Sequence, residues 1–176
     1  MRLIFGEADQ LPGLTVDRFE DILSVQILSL GMELRKESII NSLIEVLRER
    51  KLSVSCVYER NDVKIRELEG ISIYKGFFKS PLLKEKEQKT IAHIVENGIT
   101  YNVDVENGQK TGFFLDQKFN RLAVGQIAKG KHVLDCFTHT GAFALNAAKG
   151  GAASVTAVDI SEEAVTMTQH NAVQNT

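Results

Sequence analysis

The sequence predicts an α/β protein in which a small strand-strand-helix-strand-strand α+β module precedes the opening part of a parallel, doubly wound, Rossmann-like sheet. Three observations carry this. Apolar residues first alternate at period two around one helical stretch, and from Asp116 onward they recur at helical spacing between short apolar runs. Asn97-Gly98, a two-residue hairpin signal, separates the two patterns. Finally, Val133-Leu134-Asp135-Cys136-Phe137-Thr138-His139-Thr140-Gly141-Ala142-Phe143, followed by Val155-Thr156-Ala157-Val158-Asp159, reads as strand, tight loop, helix, strand, with an acid closing each strand.

The elements follow in order. Leu14 to Phe19 and Ile22 to Leu28 form a strand pair with its turn near Glu20-Asp21. Ile39, Ile40, Leu43, Ile44 and Leu47 recur at helical spacing among charges, so Lys36 to Arg50 is an amphipathic helix that lies on this sheet. Val54 to Tyr58 and Ile71 to Lys75 supply two more strands. After the polar stretch Lys84 to Lys89, the strands Ile91 to Val95 and Ile99 to Val105 flank the Asn97-Gly98 turn. Phe119, Leu122, Ala123 and Ile127 line one face of a helix that Gly130 can end. Lys131 to Asp135 and Ser154 to Asp159 are then parallel strands joined by a right-handed crossover. The expected organisation is a central α+β module over residues 1–83, a linker and hairpin over 84–107, and the parallel part over 108–176. Two parallel strands leave sheet edges and an apolar face uncovered, which is the pattern expected of a piece of something longer.

Composition narrows the function classes. With Lys+Arg 21 against Asp+Glu 23 the chain is nearly neutral, so any nucleic-acid contact has to be local. Cys56 and Cys136 each lie in an apolar run, as expected of free buried thiols in a reducing compartment. No apolar run approaches the ~20 residues of a membrane span, and the amino terminus lacks the regions of a signal peptide; a cytoplasmic location is expected. No His/Cys/Asp cluster has metal-ligand spacing, so no metal is expected.

The chemistry concentrates after Asp135. A glycine follows it six positions later where a helix opens, and the first turn of a helix presents backbone N–H groups without partners. Asp159, 18 residues after Gly141, closes the next strand and can accept both hydroxyls of a ribose. One glycine stands where a dinucleotide fingerprint carries three, so a nicotinamide-dependent oxidoreductase is disfavoured.

This arrangement resembles the first motif of class I S-adenosylmethionine-dependent methyltransferases. Three further segments sharpen the resemblance. Gly108-Gln109-Lys110-Thr111-Gly112-Phe113-Phe114-Leu115-Asp116-Gln117-Lys118-Phe119-Asn120-Arg121 resembles the K-T-G-F-F-L-D-Q-R-x-N-R block of the bacterial rRNA large subunit methyltransferase I family, the cytosine-5 enzymes. Gly6-Glu7-Ala8-Asp9-Gln10-Leu11-Pro12-Gly13-Leu14-Thr15-Val16-Asp17-Arg18 resembles that family's G-E-A-D-G-L-P-G-L-x-V-D-R segment, and Cys136 to Phe143 its C-F-x-x-T-G-x-F loop. Gln10 replaces a glycine and Lys118 an arginine.

The resemblance implies S-adenosylmethionine as cofactor, large-subunit rRNA as partner and methylation of cytosine at carbon-5. It implies that Phe114, Asp116, Gln117, Arg121, Asp135, Phe137, Thr138, Gly141 and Asp159 hold the cofactor. It also implies an RNA-binding domain of the PUA type before the central module, and an Asp-Pro-Pro segment and nucleophilic cysteine later in the fold, none of which this sequence contains. No catalytic residue is therefore assigned, and the chain alone is expected to be inactive with weak cofactor affinity.

Several residues admit a plainer reading. Asp116 can simply cap the helix that follows it. Gln117 and Arg121, four apart on one helix face, point toward cofactor or RNA phosphate, or are solvated surface. Phe113 and Phe114 are core, or one stacks on the adenine. His139 shapes its loop and is not a catalytic base. Cys136 adjoins Asp135, whose charge would raise its pKa, so both cysteines read as packing and not as nucleophiles. Lys84, Lys86 and Lys89 form a solvated linker or brush an RNA backbone. Two other functions stay open: a non-catalytic RNA-binding module, and a methyltransferase acting on another base.

Overall fold

The computed structural model describes residues 1–176. The chain forms two compact units, Met1–Ala92 with Val103–Phe113, and His93–Asn102 with Phe114–Thr176.

The first unit holds a five-stranded sheet in the order β1-β2-β3-β4-β5, with β1 at Arg2–Phe5, β2 at Leu14–Phe19, β3 at Ile22–Ile27, β4 at Cys56–Asn61 and β5 at Tyr74–Phe77. All neighbours are antiparallel except β3 and β4, which the short α1 (Leu30–Glu33) and the longer α2 (Lys36–Glu49) connect. Strands β2 and β3 pair from Leu14↔Ile27 to Phe19↔Ile22, and Glu20 takes a left-handed φ of 55° in the tight turn between them. Ile40, Ile44 and Leu47 of α2 pack on Leu14, Val16, Leu23, Val25 and Ile27, so helical and strand periodicities meet in one core.

Two expectations shift here. Strand β1 carries too little alternation to stand out in sequence; its Arg2 guanidinium, bidentate on Asp17 at 2.9 and 2.8 Å, helps to hold it. Strand β4 starts two residues later than its apolar run and continues through Glu59, Arg60 and Asn61, all buried. These polar residues tolerate burial because each is satisfied. Tyr74 Oη donates to Glu59 at 2.6 Å, the Asn61 amide oxygen accepts from Ile27 N–H at 2.8 Å, and Arg60 donates to the Val105 and Gly108 carbonyls at 3.1 and 2.7 Å. Arg60 thereby fastens the loop after residue 104 to this sheet, and Thr111 Oγ1 donates to fully buried Asp17 at 2.5 Å.

The chain passes between the units in a hairpin of β6 (Ile91–Glu96) and β7 (Ile99–Asp104). Asn97 and Gly98 both take positive φ, 54° and 72°, as the tight turn requires.

The second unit contains α3 (Lys118–Ile127), β8 (His132–Cys136), α4 (Ala142–Lys149), β9 (Ser154–Val158) and α5 (Glu162–Val173). β8 and β9 are parallel, in register from His132↔Ser154 to Cys136↔Val158. α3 and α4 approach at Gly125 and Gly150, where a Cβ on Gly150 would collide with the Gly125 carbonyl. Leu134, Cys136 and Val158 are exposed on one face of the strand pair, so Cys136, unlike buried Cys56, departs from the buried-thiol expectation. Period-two alternation places it on the same open face as Leu134. The apolar stripe of α3 also faces outward, with Phe119 75% and Ile127 65% exposed, while Arg121 turns inward. No helix is long and apolar enough to cross a membrane.

Candidate cofactor site

The carboxyl ends of β8 and β9 converge on the Phe137–Gly141 loop. Asp135 Oδ2 accepts from Thr138 Oγ1 at 2.6 Å and from Ala144 N–H at 3.0 Å. Ala144 lies in the first turn of α4, whose N-cap, Gly141, has no side chain to offer. The strand-end carboxylate thus serves as a remote cap for donors that would otherwise be orphaned, and helix polarity favours its charge there. Asp159 plays a matching part just beyond β9: Oδ2 accepts from His139 N–H at 2.9 Å and Oδ1 from Ser161 N–H at 3.0 Å. The Ser161 and His139 N–H groups hold its carboxyl below the ordinary carboxylate range. A carboxylate has about four lone-pair directions, so these donors leave room for a further hydroxyl donor.

The loop between these acids is strained. Phe137 and His139 take left-handed φ values of 62° and 55°, and Gly141 takes 78°. Glycine is required at 141 for a second reason, since a Cβ would lie 2.7 Å from Thr168 Cγ2. Thr138 is buried, whereas Phe137 projects with 86% of its surface exposed. Thr140 Oγ1 is buried and has no hydrogen-bond partner within the chain.

His139 packs edge-on against Phe114, ring centroids 5.4 Å apart, the loop-shaping arrangement anticipated for it. Burial lowers the His139 imidazole pKa below its ordinary 6.5 against the opposing pull of Asp159, so the folded ring resists protonation. Its contribution to stability is then fully present above the unfolded value and is lost as pH falls through the lower folded value. Thermal midpoints measured from about pH 7.5 down to 5 should fall more steeply for the parent than for His139→Asn, which tolerates the same φ without titrating. Parallel slopes would show that the ring does not contribute.

The block around residue 116 behaves differently from its sequence reading. A 3-10 turn, Leu115–Gln117, leads into α3, and no side chain caps that helix. Asp116, exposed, accepts from Gln117 Nε2 at 3.0 Å, and Gln117 Oε1 accepts from Asn120 Nδ2 at 2.8 Å. The capping role expected of Asp116 is therefore not taken, because the 3-10 turn puts Gln117 at the N-cap position. Arg121 is neither surface nor outward-reaching. It is 2% exposed, pairs with Glu96 through Nε at 2.7 Å and Nη2 at 3.0 Å, and donates to the Phe114 carbonyl at 2.8 Å. Glu96, the strand residue before the hairpin turn, is not marked by any sequence pattern, because a charge beside a turn reads as solvated. Thr168 and Asn171 carry no sequence signal beyond polarity on helix positions that pack inward.

An acid at the end of each of two parallel strands, with a tight glycine loop and a helix N-terminus between them, can receive the ribose and charged tail of a nucleoside-type cofactor. Residues 78–176 match the sequence model of the family described as S-adenosylmethionine-dependent methyltransferase, and the chain belongs to that family. It is 42% identical over 174 residues to the ribosomal RNA large subunit methyltransferase I of Shewanella amazonensis, covering 99% of this chain and 41% of that protein. The protein of the same name from Aeromonas salmonicida is 43% identical over 175 residues, again covering 99% and 41%. The chain thus spans about two fifths of the length of the curated relatives it matches.

Among solved structures, a Streptococcus mutans protein described as a SAM-dependent methyltransferase superposes with a TM-score of 0.79 at 27% identity, over 99% of this chain and 42% of that one. A methyltransferase complexed with SAH gives 0.76 at 27% identity, over 97% and 40%. Pyrococcus horikoshii TYW2 in complex with MeSAdo shares the fold, with a TM-score of 0.62 at 24% identity over 91% and 50%.

Proposed function

We propose that this chain builds the cofactor-holding side of a methyltransferase that acts on cytosine carbon-5 in large-subunit rRNA. The observation that carries the reading is the pair of strand-end carboxylates, each held by at least two donors, on either side of a loop that is left-handed at three positions and strained at Phe137 and His139. The names of the 42–43% identical relatives support the rRNA substrate, and the three motif resemblances support the cytosine-5 assignment.

In this reading Asp159 accepts the ribose hydroxyls with the lone pairs that Ser161 and His139 leave open. The Phe137–Gly141 loop and the first turn of α4 receive the methionine portion, with Thr140 Oγ1 gaining the partner it lacks. Thr138 and Asp135 keep that loop in shape, Phe114 flanks it through His139, and Arg121 holds Phe114 through its carbonyl. Phe137 offers an exposed ring for stacking, and Asp116 and Gln117 edge the site. S-adenosylmethionine supplies an electrophilic methyl on sulfonium. Cytosine carbon-5 accepts such a methyl only after a thiolate adds at carbon-6 and makes it enamine-like, and loss of the carbon-5 proton to a base then expels the thiolate. That thiolate is assigned to neither cysteine of this chain, because Cys56 is buried beside the Lys89 carbonyl and Cys136 lies on the open face of β8, opposite the face from which Asp135 bonds Thr138 and the first turn of α4.

The deciding experiment is thermal unfolding of the 176-residue chain with and without millimolar S-adenosylhomocysteine. A ligand at a hundred times its Kd adds about 2.7 kcal/mol to the state that binds it. The parent midpoint should rise and that of Asp159→Ala should not. A rise of equal size in both would remove Asp159 from the site, and detectable methylation of rRNA by the chain alone would overturn the assignment of the nucleophile.

A further inference from the structure

The strained loop is held from outside by two polar residues of α5 that no sequence motif singles out. Asn171 is fully buried. Its Nδ2 donates to the Thr140 carbonyl at 2.9 Å, and its Oδ1 accepts from Asn102 N–H of β7 at 2.8 Å and from Gln174 Nε2 at 3.0 Å. One turn earlier, Thr168 Oγ1 donates to the His139 carbonyl at 3.1 Å, and its methyl carbon closes the space beside Gly141. Just past the end of α5, Asn175 ties the chain to β7: it accepts from Thr100 N–H at 2.8 Å and donates to the Thr100 carbonyl at 2.7 Å.

Two successive carbonyls of the loop are therefore gripped from the same helix. In a trans peptide the carbonyl and the following N–H point opposite ways. Fixing the His139 carbonyl on Thr168 turns the Thr140 N–H away from α5, and fixing the Thr140 carbonyl on Asn171 does the same for Gly141 N–H, which closes a turn on the Thr138 carbonyl at 2.9 Å. A leucine would pack a buried helix position without the desolvation cost of an amide, so the polar choice needs a reason beyond cohesion.

We propose that Thr168 and Asn171 are positioning residues for the cofactor, acting through the peptide groups of His139 and Thr140: they hold the loop in its left-handed conformation and aim the Thr140 N–H before ligand arrives. The placement of the cofactor rests on the function proposed above; the clamp itself does not.

The test uses the full chain with Thr168→Val, Thr168→Ser and Asn171→Asp, reading amide exchange without ligand and the Kd for S-adenosylhomocysteine. Thr168→Val and Asn171→Asp each remove one donor to the loop, so exchange at His139–Gly141 should quicken about tenfold while β8 and β9 amides keep the parent rate. Cofactor affinity should fall by a similar factor, about tenfold, and Thr168→Ser, which keeps the hydroxyl, should match the parent in both measurements. If Asn171→Asp does not fold, Thr168→Val and its serine control decide alone. Loop exchange that stays at the parent rate overturns the clamp. So does faster exchange spread evenly over the whole second unit, the mark of a merely structural role. Failure of the parent to bind S-adenosylhomocysteine overturns the cofactor reading, and the exchange measurement then still decides the clamp.

Discussion

Arg121→Ala is expected to destabilise the second unit by about 3–5 kcal/mol, because it leaves Glu96 charged, buried and unpaired. That is a large fraction of the stability of a small domain, about 5–15 kcal/mol, so the second unit of the variant should unfold at a much lower urea concentration. Urea unfolding followed by amide signals of β8 and β9 would read the loss, and a change below about 1 kcal/mol, the scale of a surface ion pair, would show that the pair is not the buried brace described. Replacing both partners by apolar residues, Arg121→Met with Glu96→Leu, should recover much of the stability, since a buried ion pair is often no more stabilising than a hydrophobic pair of similar volume. It should not recover the bond from Arg121 to the Phe114 carbonyl. A double variant that folds but binds S-adenosylhomocysteine less well would separate the arginine's work on the loop from its work on the fold.

Asp135→Ala should come second in size. The carboxylate takes two hydrogen bonds, from Thr138 Oγ1 and Ala144 N–H, and bonds to a charged acceptor contribute about 1.5–3 kcal/mol each before overlap between them is counted. A loss of about 2–4 kcal/mol is expected, with fraying of the first turn of α4 as its local sign. Thr138→Val, which removes one of the two bonds, should cost about half as much. Equal stability of Asp135→Ala and parent would mean that the turn of α4 is satisfied by water and that the strand-end acid is free for other use.

Much of the fold was legible from periodicity. Strand β2 and helix α2 fall where alternation and helical spacing put them, because one face of each is buried in the same core and the apolar residues record that face. The α3 stripe shows where such reasoning stops. Its apolar residues do share a face, but the structure exposes Phe119, Leu122 and Ile127 and buries an arginine, so period identifies a face without saying what covers it. Strand β4 shows the complementary failure: Glu59, Arg60 and Asn61 look like the end of a strand until Tyr74, the Val105 and Gly108 carbonyls and Ile27 N–H supply their partners.

The candidate site divides the same way. The sequence by itself determined the acid at each strand end, the glycine at the start of α4 and the hairpin turn at Asn97-Gly98, because these depend on residues near one another in the chain and on backbone conformations few residues adopt. Only the tertiary structure decided that Arg121 faces Glu96, 25 residues away, that Asn171 grips the Thr140 carbonyl across 31 residues, and that Thr111 meets Asp17 across 94. A buried polar side chain takes its direction from whichever partner satisfies it, and such partners lie at sequence distances that no local pattern encodes.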